Sequence, residues 1–166
     1  MARLAGSTGG RRQDVKAVLI SIRPKWCEKI INGKKTIEVR KTRPKMDTPF
    51  KCYIYKCGNG KVIGEFTCDC IDEYDDDTIF SFRHEDYARW NDFDLDRACM
   101  HPEDFQNYAN GKWLYGWHIS DLRVYDHPRD LWEFTGLREA KFGAEPVPIT
   151  RPPQSWRYVE EELWND

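Results

Sequence analysis

Residues Ser21–Arg40 read SIRPKWCEKIINGKKTIEVR, and their punctuation predicts a short helix that delivers the chain into a strand. Pro24 suits the first turn of a helix, where a missing N–H costs nothing. Trp26, Ile30 and Ile31 fall at i, i+4 and i+5, one apolar stripe. Asn32-Gly33 stops the helix, because glycine readily takes the left-handed backbone found at helix ends. Thr36–Arg40 then alternates: Ile37 and Val39 face one side, and Thr36, Glu38 and Arg40 the other. With the apolar side in a core, the polar side is expected to face solvent or a pocket.

Upstream, Val15–Ile22 (VKAVLISI) is rich in β-branched residues and reads as a buried first strand. Residues 1–14 are small, polar and Gly-rich, and read as a flexible leader. Downstream, Thr42–Pro49 is a Pro-containing loop that keeps adding positive charge. Lys51–Lys56 reads as a strand, Gly58-Asn59-Gly60 as a hairpin turn, and Lys61–Asp69 as the returning strand with a bulge at Gly64. Asp72–Asp77 (DEYDDD) reads as an acidic turn. Ile79–Ala109 mixes aromatics with acids and reads as one or two short helices, one starting at Pro102. Tyr115–Leu122 returns to a β pattern, Val124–Pro128 reads as an exposed connection, and Asp130–Phe134 as a helical turn. Lys141–Arg151 reads as irregular and Gln154–Glu160 as a last strand. The expected fold class is α+β: a small, mostly antiparallel β-barrel with peripheral short helices and an acidic helical insertion. Residues 15–166 are expected to form a single domain, with the insertion at about 73–110.

Composition sets the broad class. Hydrophobic residues make up 40% of the 166-residue chain and aromatics 14%, enough apolar material for one core. No apolar run approaches the roughly 18 residues of a membrane helix, and the N-terminus lacks the apolar stretch of a secretory signal. A cytoplasmic protein is expected. The six cysteines then read as reduced thiols, mostly buried. Their C-x₄-C and C-x-C spacings differ from zinc knuckles, and Asp75-Asp76-Asp77 lacks the spacing of a calcium loop. Neither a metal nor a cofactor is expected.

Charge is distributed unevenly. Residues 1–61 carry 16 Lys/Arg against 4 Asp/Glu, residues 62–106 carry 3 against 14, and residues 107–166 carry 7 against 10. Such asymmetry points to a basic binding surface in the first third. The acidic middle then reads as a solvated segment, a competitor that mimics nucleic acid on the basic face, or a recruiter of a protein partner.

The order strand, short helix, G-K-K-T-I-E-V-R strand, hairpin resembles the ASCH domain family, part of the PUA-like superfamily of small β-barrels. Ile22, Pro24, Ile30, Gly33, Lys35, Glu38 and Arg40 carry the resemblance, with Gly116-Trp117-His118-Ile119 in support, and it spans roughly residues 15–125. The family looks like a set of RNA-binding modules, some members of which resemble enzymes. In an acetylcytidine amidohydrolase branch, a Lys and a Thr of the G-[KR]-K-T-I-T-I-R strand act with a downstream Glu. By position, the Lys maps onto Lys35 and the nucleophilic Thr onto Glu38, a departure that weighs against that activity. Other members of the family have been linked to ribonuclease activity.

RNA or a modified nucleotide is therefore the expected partner. Arg23, Lys25, Lys34, Lys35 and Arg40 would supply charge, and Trp26 and Trp117 stacking. Thr36 lies on the same strand face, and Ser155 would complete the pocket. Trp26 reads equally as core through Ile30, and Trp117 and His118 face opposite ways on one strand, one of them toward the core. Glu38 and Arg40 read as a ligand clamp or as a structural ion pair. If the protein is an enzyme, Lys35 and Glu38 would be its catalytic acid and base, in a metal-independent hydrolase acting on a modified nucleoside or on RNA.

Overall fold

β1 (Lys16–Ile22) is buried on both faces, and this sets the layering. Val18, Ile20 and Ile22 enter one core with Cys27 and Ile30 of α1 (Pro24–Ile31). Ala17 and Leu19 enter another with Tyr53, Val62 and Phe134. A strand with apolar neighbours on each side needs a continuous hydrophobic run, which VLI in its centre supplies. The structure, a computed structural model, describes residues 15–58, 60–74 and 94–164.

The remaining strands are β2 (Ile37–Arg40), β3 (Phe50–Lys56), β4 (Lys61–Tyr74), β5 (Leu114–Asp130), β6 (Thr135–Ala140), β7 (Gly143–Pro148) and β8 (Trp156–Glu160). They form one eight-stranded sheet in the order β2-β5-β4-β3-β1-β8-β6-β7. β1 and β3 pair in parallel, with α1 and β2 between them in sequence; the other pairings are antiparallel. A short helical segment at 94–98 precedes α2 (Pro102–Ala109), and a 3₁₀ turn spans Leu131–Glu133. The class is therefore mostly β, with β2 and β7 at the two edges of the sheet. Among the described residues, no helix is long and apolar enough to cross a membrane.

The helix–strand reading of the opening segment holds. Pro24 stands in the first turn of α1, and the helix ends at Asn32, whose N–H donates to Glu28 O. Gly33 follows at φ +77°. Gly64 sits at a register shift between β4 and β5, and a Cβ there would lie 2.5 Å from the carbonyl oxygen of Arg123.

One reading is narrowed and three need correction. β2 is buried throughout, so Glu38 and Arg40 do not face open solvent. Asp72 and Glu73 belong to β4 rather than to a turn, while 75–77 lie outside the described residues. Val124–Pro128 belongs to the long β5: Val124 pairs with Gly64 of β4, Arg129 and Asp130 pair with Val62 and Lys61, and the ladder is irregular between them. Lys141–Arg151 contains β7, which pairs with β6 over six residues despite its two prolines. It is an edge strand, where a missing N–H is tolerated.

The insertion is packed in its described part, 94–109. Leu95, Ala98, Phe105 and Ala109 cover Ile37 and Val39 with Tyr74 and Leu114. Arg97 O accepts from Thr36 N at 2.9 Å. These residues act as a roof for β2, which the readings of a solvated or competing acidic segment did not anticipate.

Candidate functional site

β2 leads its apolar residues under the roof, and its polar residues point the other way, into the curl of the sheet. There Glu38 is directly opposite Trp117 of β5. Opposed residues of an antiparallel pair share a face, so Glu38 lies on the same side as the Trp117 indole, which is fully buried.

Arg40 holds this arrangement together. Its Nε donates to Glu38 Oε1 at 3.0 Å, and its Nη2 lies 2.9 Å from the same oxygen as an ion pair. Nη2 also donates to Ser21 O at 2.6 Å, and Nη1 to Ser155 Oγ at 3.3 Å. Ser155 O in turn accepts from Ser21 N at 2.9 Å. A side chain of the edge strand β2 thus reaches the far side of the sheet, at the end of β1 and the entry to β8. Backbone pairing leaves these elements apart, and the guanidinium joins them.

Lys35 completes the cluster. Its Nζ donates to Ala98 O at 2.7 Å and lies 3.4 Å from Glu38 Oε2. Lys35, Glu38 and Arg40 are 3%, 5% and 9% exposed. Burial lowers the pKa of Lys35 from its ordinary 10.5, and the Glu38 carboxylate opposes that shift. Two cations meet one anion here, so the cluster carries an excess positive charge out of contact with water. Glu38 Oε2 is itself buried with no hydrogen-bond partner.

Trp26 forms the outer wall. The ammonium groups of Lys25, Lys29 and Lys35 lie 4.6, 5.1 and 4.9 Å from its ring centroid. The ring is partly buried against the core below, as the core reading of Trp26 expects. Lys25 and Lys34 are exposed. Arg23 is exposed at the N-cap of α1, and Thr36 is held through its backbone to Arg97 and Ile119. Trp117 packs on Phe50 and Trp156, with ring centroids 5.9 and 6.0 Å away, and is enclosed in the core. His118, on the opposite face, sits 2.5 Å from Asp72 Oδ2 through Nε2.

Two features escaped the sequence. Tyr108 of α2 stands close enough to Arg40 and Glu38 for both charges to act on its hydroxyl, whose pKa burial raises. Lys41 lies 4.8 Å from its ring. Beyond it, the 41–47 loop and Tyr115 line an open groove of about 570 Å³. Trp156 donates to Thr42 Oγ1 at 2.9 Å and Tyr158 OH accepts from Lys45 N at 2.7 Å, so aromatic side chains of β8 fix this loop. The charge of the loop was legible, but its anchoring by Trp156 and Tyr158 was not. The small cavity under the roof, about 10 Å³ between Ile37, Val39 and Leu95, has room for about one water at most.

The family model for the ASCH domain matches residues 20–150. No match was found among curated proteins. Among solved structures, ASCH from Zymomonas mobilis superposes with a TM-score of 0.55 at 21% identity, covering 87% of this chain and 88% of that chain. A serine-to-alanine variant of the same protein gives 0.56 at 21% identity, covering 89% and 91%. A tyrosine-to-phenylalanine variant gives 0.55 at 20%, covering 87% and 91%. At these identities the likeness is one of fold.

Proposed function

The chain belongs to the ASCH domain family, and on that premise we propose that it binds RNA or a nucleotide at the cationic cluster around Lys35, Glu38 and Arg40. One observation carries the reading: three ammonium groups converge on the single indole of Trp26, within 5.1 Å of its centroid. Lys25 is exposed and Lys29 half-buried, with the buried Lys35 behind them; like charges held this close repel one another, and a phosphate beside the outer two lowers the repulsion. Arg40 and Glu38 lie behind this surface, and a ligand that reaches them has a fork for phosphate and an acceptor for a base amino group or ribose hydroxyl. Arg23, Lys25 and Lys34 extend the charge along the rim, and Ser155 anchors Arg40 from the other side.

The test is fluorescence anisotropy with labelled single-stranded RNA, single-stranded DNA and a mononucleotide at low salt. RNA binding that weakens steeply with salt, and further with Lys25→Glu and Lys29→Glu, is the expected result. Absence of binding to all three probes at low salt overturns the proposal.

A second reading rests on the 3.4 Å contact between Lys35 Nζ and Glu38 Oε2. A lysine whose pKa is lowered by burial gives up a proton more readily than an ordinary lysine, and a carboxylate oxygen with no hydrogen-bond partner can accept one. Hydrolysis of a modified nucleoside or of RNA would use this pair, with Arg40 stabilising developing negative charge. Turnover that survives both Lys35→Ala and Glu38→Gln overturns it.

A further inference from the structure

Away from the cationic cluster, the outer face of the β4–β5 ladder gathers side chains of a different chemistry. Cys68 pairs with Ile119 and Ile71 with Trp117, so Asp69 and Cys70 together stand opposite the single residue His118. Two residues against one is a β-bulge, and a bulge turns consecutive side chains to one face where a regular strand would alternate them. Asp69 and Cys70 are both exposed, and His118 is half-buried. A carboxylate oxygen, the thiol sulfur and an imidazole nitrogen of these three residues lie within 4.8 Å of one another. Asp72 adds a further carboxylate, 2.5 Å from His118 Nε2.

We propose that Asp69, Cys70 and His118 form a binding site for a zinc-class divalent cation. The donor set decides the class: thiolate, imidazole and carboxylate together suit zinc or cobalt, whereas magnesium and calcium favour oxygen alone. Tetrahedral bonds of about 2.0–2.3 Å hold ligands roughly 3.3–3.8 Å apart, so the three groups close by about an ångström on binding. Two of them are surface side chains on a bulge and are free to make that movement. Asp72 either orients the imidazole from behind, as carboxylates commonly do for metal-bound histidines, or turns to become the fourth ligand. The carboxylates of Asp69, Asp72 and Asp94 crowd negative charge around the thiol, which a dication relieves. On binding, the Cys70 thiol loses its proton to solvent and the sulfur forms the metal bond. Knuckle spacing does not register such a site, because the bulge and a cross-strand partner assemble it.

The experiment titrates the full chain with cobalt(II) alone, followed by zinc competition. Wild type is expected to bind one cobalt with a thiolate charge-transfer band that zinc abolishes. Cys70→Ser loses the band, Cys57→Ser and Cys99→Ser keep it, and Asp72→Asn weakens the affinity roughly 10–100-fold. Circular dichroism confirms that each variant is folded. A wild-type protein with no band, or a band that survives Cys70→Ser, overturns the proposal. A band that disappears on changing Cys57 or Cys99 assigns the metal to another thiol and overturns it equally.

Discussion

Glu38 Oε1 accepts a hydrogen bond from Arg40 Nε at 3.0 Å and forms an ion pair with Arg40 Nη2 at 2.9 Å, two residues further along the same strand. The pair is nearly dry, with side-chain exposures of 7% and 11%. Lys35 leans on the other carboxylate oxygen, so one anion serves two cations. Removing the anion leaves both cations buried without this counter-charge, held only by neutral acceptors: Ala98 O for Lys35, and Ser21 O and Ser155 Oγ for Arg40. Glu38→Ala is therefore expected to destabilise the fold by about 3–5 kcal/mol, and Glu38→Gln, which keeps an oxygen acceptor, by less. Urea denaturation measures both, and equal stability of Glu38→Ala and wild type contradicts the arrangement.

Lys35 makes stability depend on alkaline pH. Its folded pKa lies below the ordinary 10.5, because burial disfavours the ammonium. Below the folded value, Lys35 is charged in both states and the cost of burying it is fully present. Between the two values the unfolded chain holds more protons than the native one, so stability contributed by this group rises with pH. Lys35→Met lacks the effect. Parallel urea titrations should show the difference between wild type and Lys35→Met moving in favour of wild type as pH rises toward 10.5. A flat difference contradicts it.

Salt separates surface lysines from buried ones. If RNA lies against Trp26, each lysine–phosphate pair removed should reduce the slope of log affinity against log salt by about 0.7 for a single strand. Lys25→Ala and Lys41→Ala are expected to flatten the slope without changing the thermal midpoint much. Unchanged slopes in both variants would place the strand elsewhere.

Gly64 has less room for a side chain than Gly116, the other glycine in the β4–β5 ladder. Gly64→Ala would bring a Cβ to 2.5 Å from Arg123 O and 3.2 Å from Val124 Cα, both backbone atoms that cannot swing aside. A cost of about 1–3 kcal/mol is expected. Thermal denaturation tests this, and a neutral substitution would mean that the ladder shifts freely.

Trp117 acts from inside. It is fully buried between Phe50 and Trp156. Trp117→Ala should cost about 3–5 kcal/mol through the cavity it leaves. Chemical denaturation measures the loss, and a change below about 1 kcal/mol would place the indole outside the core.

The local signals were faithful where local physics rules. Pro24 and Asn32-Gly33 bounded α1, and alternation placed Ile37 and Val39 on one side of β2. The resemblance carried by Gly33, Lys35, Glu38 and Arg40 named the family that the match over 20–150 then showed. Periodicity failed where backbone pairing overrides side-chain pattern. Val124–Pro128 has no apolar alternation, yet β5 runs through it, with pairs to β4 at Val124 and Arg129 on either side of an irregular stretch. β6 and β7 pair although prolines interrupt β7.

The sequence by itself determined that Lys35, Glu38 and Arg40 share a short segment after a glycine turn, because strand geometry and turn chemistry act over a few residues. Only the tertiary structure decided what those residues meet. Ser21 and Ser155 are 134 positions apart and receive the same guanidinium. Ala98 reaches Lys35 from the insertion, and a bulge turns Asp69 and Cys70 toward His118. Contacts of that range depend on how the sheet curls and which strands become neighbours. Hydrogen-bonding groups of the backbone are alike at every residue except proline, so that choice is not written in any one stretch of chain.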